Sequence, residues 1–151
     1  MERYADIEND FPQLRGGSYL PTNPPDPAYN CVAWAVGDTK NFWQLADVGG
    51  YYWPPGVPDT ADGWMEIFRL HGYAETDDPS LDLVWEKIAI YIDAEGSPQH
   101  VARQKASGRW TSKLGSGRDI EHDLDALEGD MYGKVCVIMQ RKSSAGGRVL
   151  E

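Results

Sequence analysis

The chain has 151 residues, 41% of them hydrophobic and 25% charged, the size and composition of one globular domain with its own core and short for two. Its 14 basic and 24 acidic side chains give a formal charge of -10. That excess argues against non-specific binding to nucleic acid or to an anionic membrane, since like charges repel. The opening Met1-Glu2-Arg3-Tyr4-Ala5-Asp6 lacks the basic-then-apolar pattern of a secretory signal, and no apolar run reaches membrane-spanning length. A cytoplasmic protein is expected, or one exported without a cleaved signal.

Residues 1–29 are rich in turn formers, including Gly16-Gly17 and the prolines between Pro21 and Pro27, and read as an irregular segment wrapping the surface. A short helix is predicted from Cys31 to near Gly37, apolar nearly all round through Val32, Ala33, Trp34 and Ala35, and therefore buried. Asn41 to Leu45 suggests a further helical turn. The stretch from Gly49 to Pro58 is an aromatic, proline-stiffened loop. Its rings, Tyr52 and Trp53 among them, either tuck onto the core or wall a substrate cleft. A clearer helix places Trp64, Ile67, Phe68 and His71 at i, i+3, i+4 and i+7, after Asp59-Thr60 and before Gly72. His71 reads as a residue of its C-terminus.

The second half reads as strands. Lys87–Asp93, Gln99–Gln104 and Arg109–Leu114 are separated by turns at Glu95–Pro98 and Ser107-Gly108, an antiparallel meander with His100 near the start of its middle strand. Asp119 reads as the N-cap of a short helix through Ile120, Leu124 and Leu127 that Gly129 ends, with His122 on its solvated side. Lys134–Gln140 is a last strand, in which Cys136 is expected to be a small core residue. One domain over residues 1–142 with a flexible tail, 143–151, completes the reading.

The chemistry centres on Cys31 and His100. A thiol where an extended, proline-stiffened loop turns into a helix lies in the positive field of the helix N-terminus, which favours thiolate. An imidazole brought to it takes the proton and returns it to a leaving amine. The Cys31 main-chain N–H would stabilise an oxyanion. The competing reading is an inert buried cysteine and an idle strand histidine.

Asn30-Cys31-Val32-Ala33-Trp34 resembles the cysteine segments of NlpC-like cell-wall peptidases and CHAP amidases. His100-Val101-Ala102 is similar to their His-Val-Gly or His-Val-Ala strand. The order of cysteine helix before histidine strand also matches. The resemblance implies a papain-like, NlpC-like α+β fold, with an N-terminal helix carrying the cysteine packed on an antiparallel β-sheet. It also implies a cysteine hydrolase of the peptidase or amidase type. The region from Asn30 to Gly133 further resembles a family of uncharacterised bacterial proteins sharing Asn-Cys-x-Ala-Trp-Ala, His-Val-Ala-Arg-Gln, Gly-x-Trp-x-Ser-Lys-Leu-Gly and Asp-Ile-x-His.

NlpC-like enzymes hold the imidazole with a polar residue on the next strand. Here Arg109–Leu114 lacks the usual His, Asn or Gln, which leaves Asp119, Ser112, Gln104, His122 or a backbone carbonyl. Asp119 has the most suitable chemistry. Asn30, Trp34, Tyr52, Trp53, Trp110 and Ser112 are candidate substrate contacts; Lys113 and Arg103 could bind a carboxylate or are ordinary surface charge. Ser112 to Gly117 does not fit a phosphate-cradling loop, and Cys31, His100 and His122 lack the spacing of a zinc site. No cofactor or metal is expected. The expected partner is a peptide or protein substrate. The competing class is a non-catalytic acidic interaction module, an immunity protein or pseudo-enzyme, on the same fold.

Overall fold

A computed structural model describes residues 5–17, 19–23, 29–38, 40, 42–44, 51–114 and 119–143. The proline run 24–27, Gly49-Gly50, the glycine turn at 115–117 and the tail from 144 onward lie outside the described residues.

The fold is α+β. Its elements run α1 (Ala5–Asp10), a 3₁₀ turn (Pro12–Gly16), β1 (Leu20–Asn23), α2 (Cys31–Val36), β2 (Phe42–Trp43), β3 (Tyr51–Tyr52), α3 (Ala61–Leu70), β4 (Ala74–Thr76), β5 (Trp85–Ile92), β6 (Pro98–Gln104), β7 (Trp110–Lys113), β8 (Asp119–His122), a second 3₁₀ turn (Leu124–Leu127) and β9 (Lys134–Lys142). Seven strands form an antiparallel sheet in the order β1-β8-β7-β6-β5-β9-β4, while β2 and β3 pair in parallel as a small ribbon.

Alternation along the central strands makes two cores. Ile88, Ile90, Val101 and Met139 face α2 and α3, meeting Val32, Ala33, Ile67 and Phe68. Ala89, Tyr91, Ala102, Trp110 and Ile120 face the other way, onto Ile7, Phe11, Leu14 and Tyr19. The predicted meander is present, as are α3, which starts at a Thr60 side chain accepting from Gly63 N (3.0 Å), and its C-terminal His71, whose Nδ1 donates to Ile67 O (2.9 Å).

Four expectations are corrected. The described part of residues 1–29 builds core through Ile7, Phe11, Leu14 and Tyr19 rather than merely wrapping it, because the second face of the sheet is apolar and α1 and the first 3₁₀ turn cover it; β1 also pairs with β8. Phe42–Trp43 is a strand, not a helical turn, held by register with Tyr51–Tyr52. Asp119 is not an N-cap. Residues 119–122 are β8, with Trp110 opposite His122 and Lys113 opposite Asp119, so helix is confined to Leu124–Leu127 and His122 is fully buried instead of solvated. Cys136 is exposed. Tyr91 pairs with Val135 and Ile90 with Val137, which leaves Cys136 as the extra residue of a bulge.

Candidate active site

Cys31 is the first residue of α2. The helix begins there because Asn30 is extended (φ -122°, ψ -170°) and its Oδ1 accepts from Ala33 N at 3.2 Å; it ends at Gly37, in the left-handed region at φ 90°. The same Asn30 amide accepts from Trp43 N (3.1 Å) and donates to Trp43 O (2.7 Å), tying the helix start to β2. These three hydrogen bonds of the Asn30 side chain are structural. Asn30→Ala is expected to lower the unfolding free energy by about 2 kcal/mol, a lost cap plus a severed loop tie, read as a lower urea midpoint at unchanged slope.

α2 packs on β6 and β7, and the main-chain N–H groups of Val101, Val32 and Cys31 itself face the sulfur. The residue before Val101 is His100. Its ring lies opposite Tyr91 across the β5–β6 pair and stacks on Tyr132, with centroids 4.1 Å apart and planes 2° from parallel. Neither ring nitrogen of His100 has a hydrogen-bond partner. Tyr132 is delivered by a tight turn in which Gly129 and Gly133 bond each other. At Gly133 (φ 80°) a Cβ would lie 2.2 Å from Ile92 O, so only glycine allows the approach. Cys31 and His100 therefore share two neighbours, Val101 and Tyr132, without a hydrogen bond between them.

A cleft of about 380 Å³ opens at Cys31. Phe42, Trp43, Trp53, Trp64 and Tyr132 supply its rings; Asn30, Gln99 and Asp59 are among its polar edges.

Burial dominates the electrostatics. It raises the Cys31 thiol to about 11, against the pull of the three N–H groups and the Lys113 charge. Burial likewise holds His100 well below the ordinary imidazole range, helped by His122. The phenol of Tyr132 is pushed up by burial and by the neighbouring thiol. At pH 7 the resting site is a neutral thiol, a neutral imidazole and a protonated phenol, with about one sulfur in ten thousand ionised.

Residues 21–140 match the family model of a domain of unknown function, DUF7689. The chain belongs to this family. The matched region takes in Cys31, His100 and Tyr132. No curated protein and no solved structure matches the chain.

The remaining candidates separate by sheet face. Asp119 is fully buried and its Oδ2 accepts from Tyr29 Oη at 3.0 Å, on the side where Lys113 Nζ lies 4.9 Å from the Tyr29 ring centre. Ser112 Oγ donates to His122 Nε2 (2.7 Å). His122 Nδ1 donates to the Asp123 carbonyl (2.7 Å), which can only accept, and burial lowers the His122 pKa to about 4, so at neutral pH this imidazole is neutral and its Nε2 is the acceptor of the Ser112 bond. Gln104 donates to Pro79 O and Gly108 O. None of the four holds the His100 ring. Trp34 donates to Thr111 Oγ1 (3.2 Å) beneath the Arg103 guanidinium, and Trp110 is buried in the second core. Tyr52 packs on Trp43, while Asn30 and Trp53 do line the cleft. Sequence reasoning missed Tyr132, Trp43, Trp64, Asp59 and Gln99. Only the glycines flanking Met131-Tyr132 signalled a built turn.

Among the described residues no three His, Cys, Asp or Glu side chains converge as a metal set, so Cys31, His100 and His122 do not form one. Among them, too, no helix is long and apolar enough to cross a membrane.

Proposed function

We propose that this chain is a cysteine-dependent hydrolase or transferase with a papain-like, NlpC-like arrangement, acting on an amide, isopeptide or thioester bond of a peptide or protein. The observation that carries the reading is the Cys31 thiol at the start of α2, facing main-chain N–H groups, that of Val101 on β6 among them, at the end of an aromatic cleft, where the next residue back along β6 is His100, whose ring nitrogens make no hydrogen bond.

Substrate entering the cleft displaces the Tyr132 ring and admits His100 to the sulfur. His100 then accepts the thiol proton as sulfur attacks the carbonyl carbon. The N–H groups at the start of α2 receive the oxyanion. Collapse forms the Cys31 thioester, and the leaving amine departs with the proton from His100. Water, deprotonated by His100, releases the acid and regenerates the thiol; a second amine in place of water gives transfer. Peptidase, amidase, deamidase and acyltransferase share these steps, and a bacterial effector or toxin-like domain is the setting the sequence resemblance suggests.

The test is incubation of the full chain with a diverse peptide library, read by mass spectrometry for new termini, deamidation and an acyl adduct on Cys31. Wild type is expected to give products that Cys31→Ser and His100→Ala both abolish. Products that persist in Cys31→Ser, or none with any chain, would overturn it. The raised thiol and the stacked His100 favour a second reading, the non-catalytic acidic module on the same fold.

A further inference from the structure

The cleft beside Cys31 is chemically one-sided. Five aromatic rings line it, and each of its three indoles spends its N–H internally. Trp43 Nε1 donates to Asp38 Oδ2 (2.8 Å), Trp53 Nε1 to Val57 O (2.8 Å) and Trp64 Nε1 to Asp59 Oδ1 (2.7 Å). The indoles therefore present π faces, not donors, to an occupant. Among the described residues the lining holds one charged side chain, the Asp59 carboxylate, and no cation. Lys113, whose charge reaches the thiol, does not line the cleft.

Ring faces carry negative quadrupole potential, and a carboxylate at the wall adds a full charge of the same sign. Asp59 is exposed, so its attraction is screened and orients an occupant more than it anchors one. A net charge of -10 draws cations toward the molecule from a distance. Among the described lining residues an anion would meet neutral donors but no cation, and it would face the Asp59 carboxylate.

We propose that this cleft receives a cationic side chain, that of lysine or arginine, from a peptide. Its aliphatic stem lies on the rings and its charged head faces the free side of the Asp59 carboxylate. As a statement about substrate, this rests on the reading of Cys31 as the nucleophile. As a statement about binding, it does not.

The test is tryptophan-fluorescence titration of the full chain carrying Cys31→Ala. Acetylated, amidated Ala-X-Ala peptides with X as lysine, norleucine or glutamate are the probes. The lysine peptide is expected to bind at least fivefold tighter than the norleucine peptide, and the glutamate peptide weakest. Asp59→Asn, which keeps an oxygen for Trp64 Nε1, should bring lysine and norleucine within twofold of each other. Equal binding of lysine and norleucine, a preference untouched by Asp59→Asn, or no saturable binding overturns the proposal. Selective lysine binding with neither product nor acyl adduct on Cys31 in the wild-type library experiment leaves the cation site standing and removes the enzyme reading.

Discussion

Replacing Tyr132 by alanine is expected to raise the rate of iodoacetamide labelling at Cys31 by about 20-fold at pH 7. The thiol is held at about 11 chiefly by burial, and Tyr132 forms part of its cover. A return to an ordinary thiol near 8.5 multiplies the thiolate fraction by roughly 300, and the weaker nucleophilicity of the less basic sulfur takes back about fifteenfold. The same substitution removes the ring stacked on His100. Adding His100→Ala then separates the two functional readings. If His100 is the base, the double variant loses most of the gain at pH 6.5, where an imidazole assists and an isolated thiol does not. If the double variant labels like Tyr132→Ala at every pH, the thiol was merely uncovered, and the interaction module is the better account. Peptide mass spectrometry reads Cys31 separately from Cys136, which is exposed and serves as an internal standard.

A second large effect is acid lability from buried neutral histidines. The pKa of His122 is lowered from 6.5 to about 4 by burial, despite the Asp123 carbonyl, so between those values the unfolded chain binds a proton that the folded chain does not. Stability therefore falls as pH drops through that window, by about 3 kcal/mol for this residue alone at 1.36 kcal/mol per unit, and the loss from this group levels off near pH 4. His100 is lowered by the same cause and adds a loss of the same sign. Urea midpoints at pH 7, 5.5 and 4.5 should decline steeply in the wild type. His122→Asn, whose amide N–H can replace Nδ1–H toward the Asp123 carbonyl, should remove a large part of that slope. Parallel slopes in the two proteins would show that His122 is not buried as a neutral base.

The placements of Cys31 at a helix start and of His100 near a strand start were readable before the fold because their signals are local. The proline-stiffened loop before it, Gly37 as stop and the apolar run between them place Cys31 at a helix start, and the structure adds Asn30 as the cap. The turn ahead of Pro98 and the alternation after it place His100 at the beginning of a strand. The third partner was not readable. Its candidates scatter once strand register assigns faces, Asp119 going to Tyr29 and Ser112 to His122, and the His100 ring meets Tyr132 instead. That contact joins residues on different elements through a glycine turn, and nothing in the local sequence around either one encodes it.

By itself, then, the sequence determined the α+β class, the places of α2 and α3, the β5–β7 meander, the last strand and the two elements that carry Cys31 and His100. Periodicity, capping and turn chemistry act over a few residues and are written in order along the chain. Only the tertiary structure decided that Ile7, Phe11, Leu14 and Tyr19 build a second core, that Asp119 to His122 form a strand, that a bulge turns Cys136 outward and that Tyr132 lies beside Cys31 and on His100. It also decided the ionisation of Cys31 and His100. Each of these depends on which distant surface a segment is buried against, and burial, not the helix field, sets the charge state of the resting site.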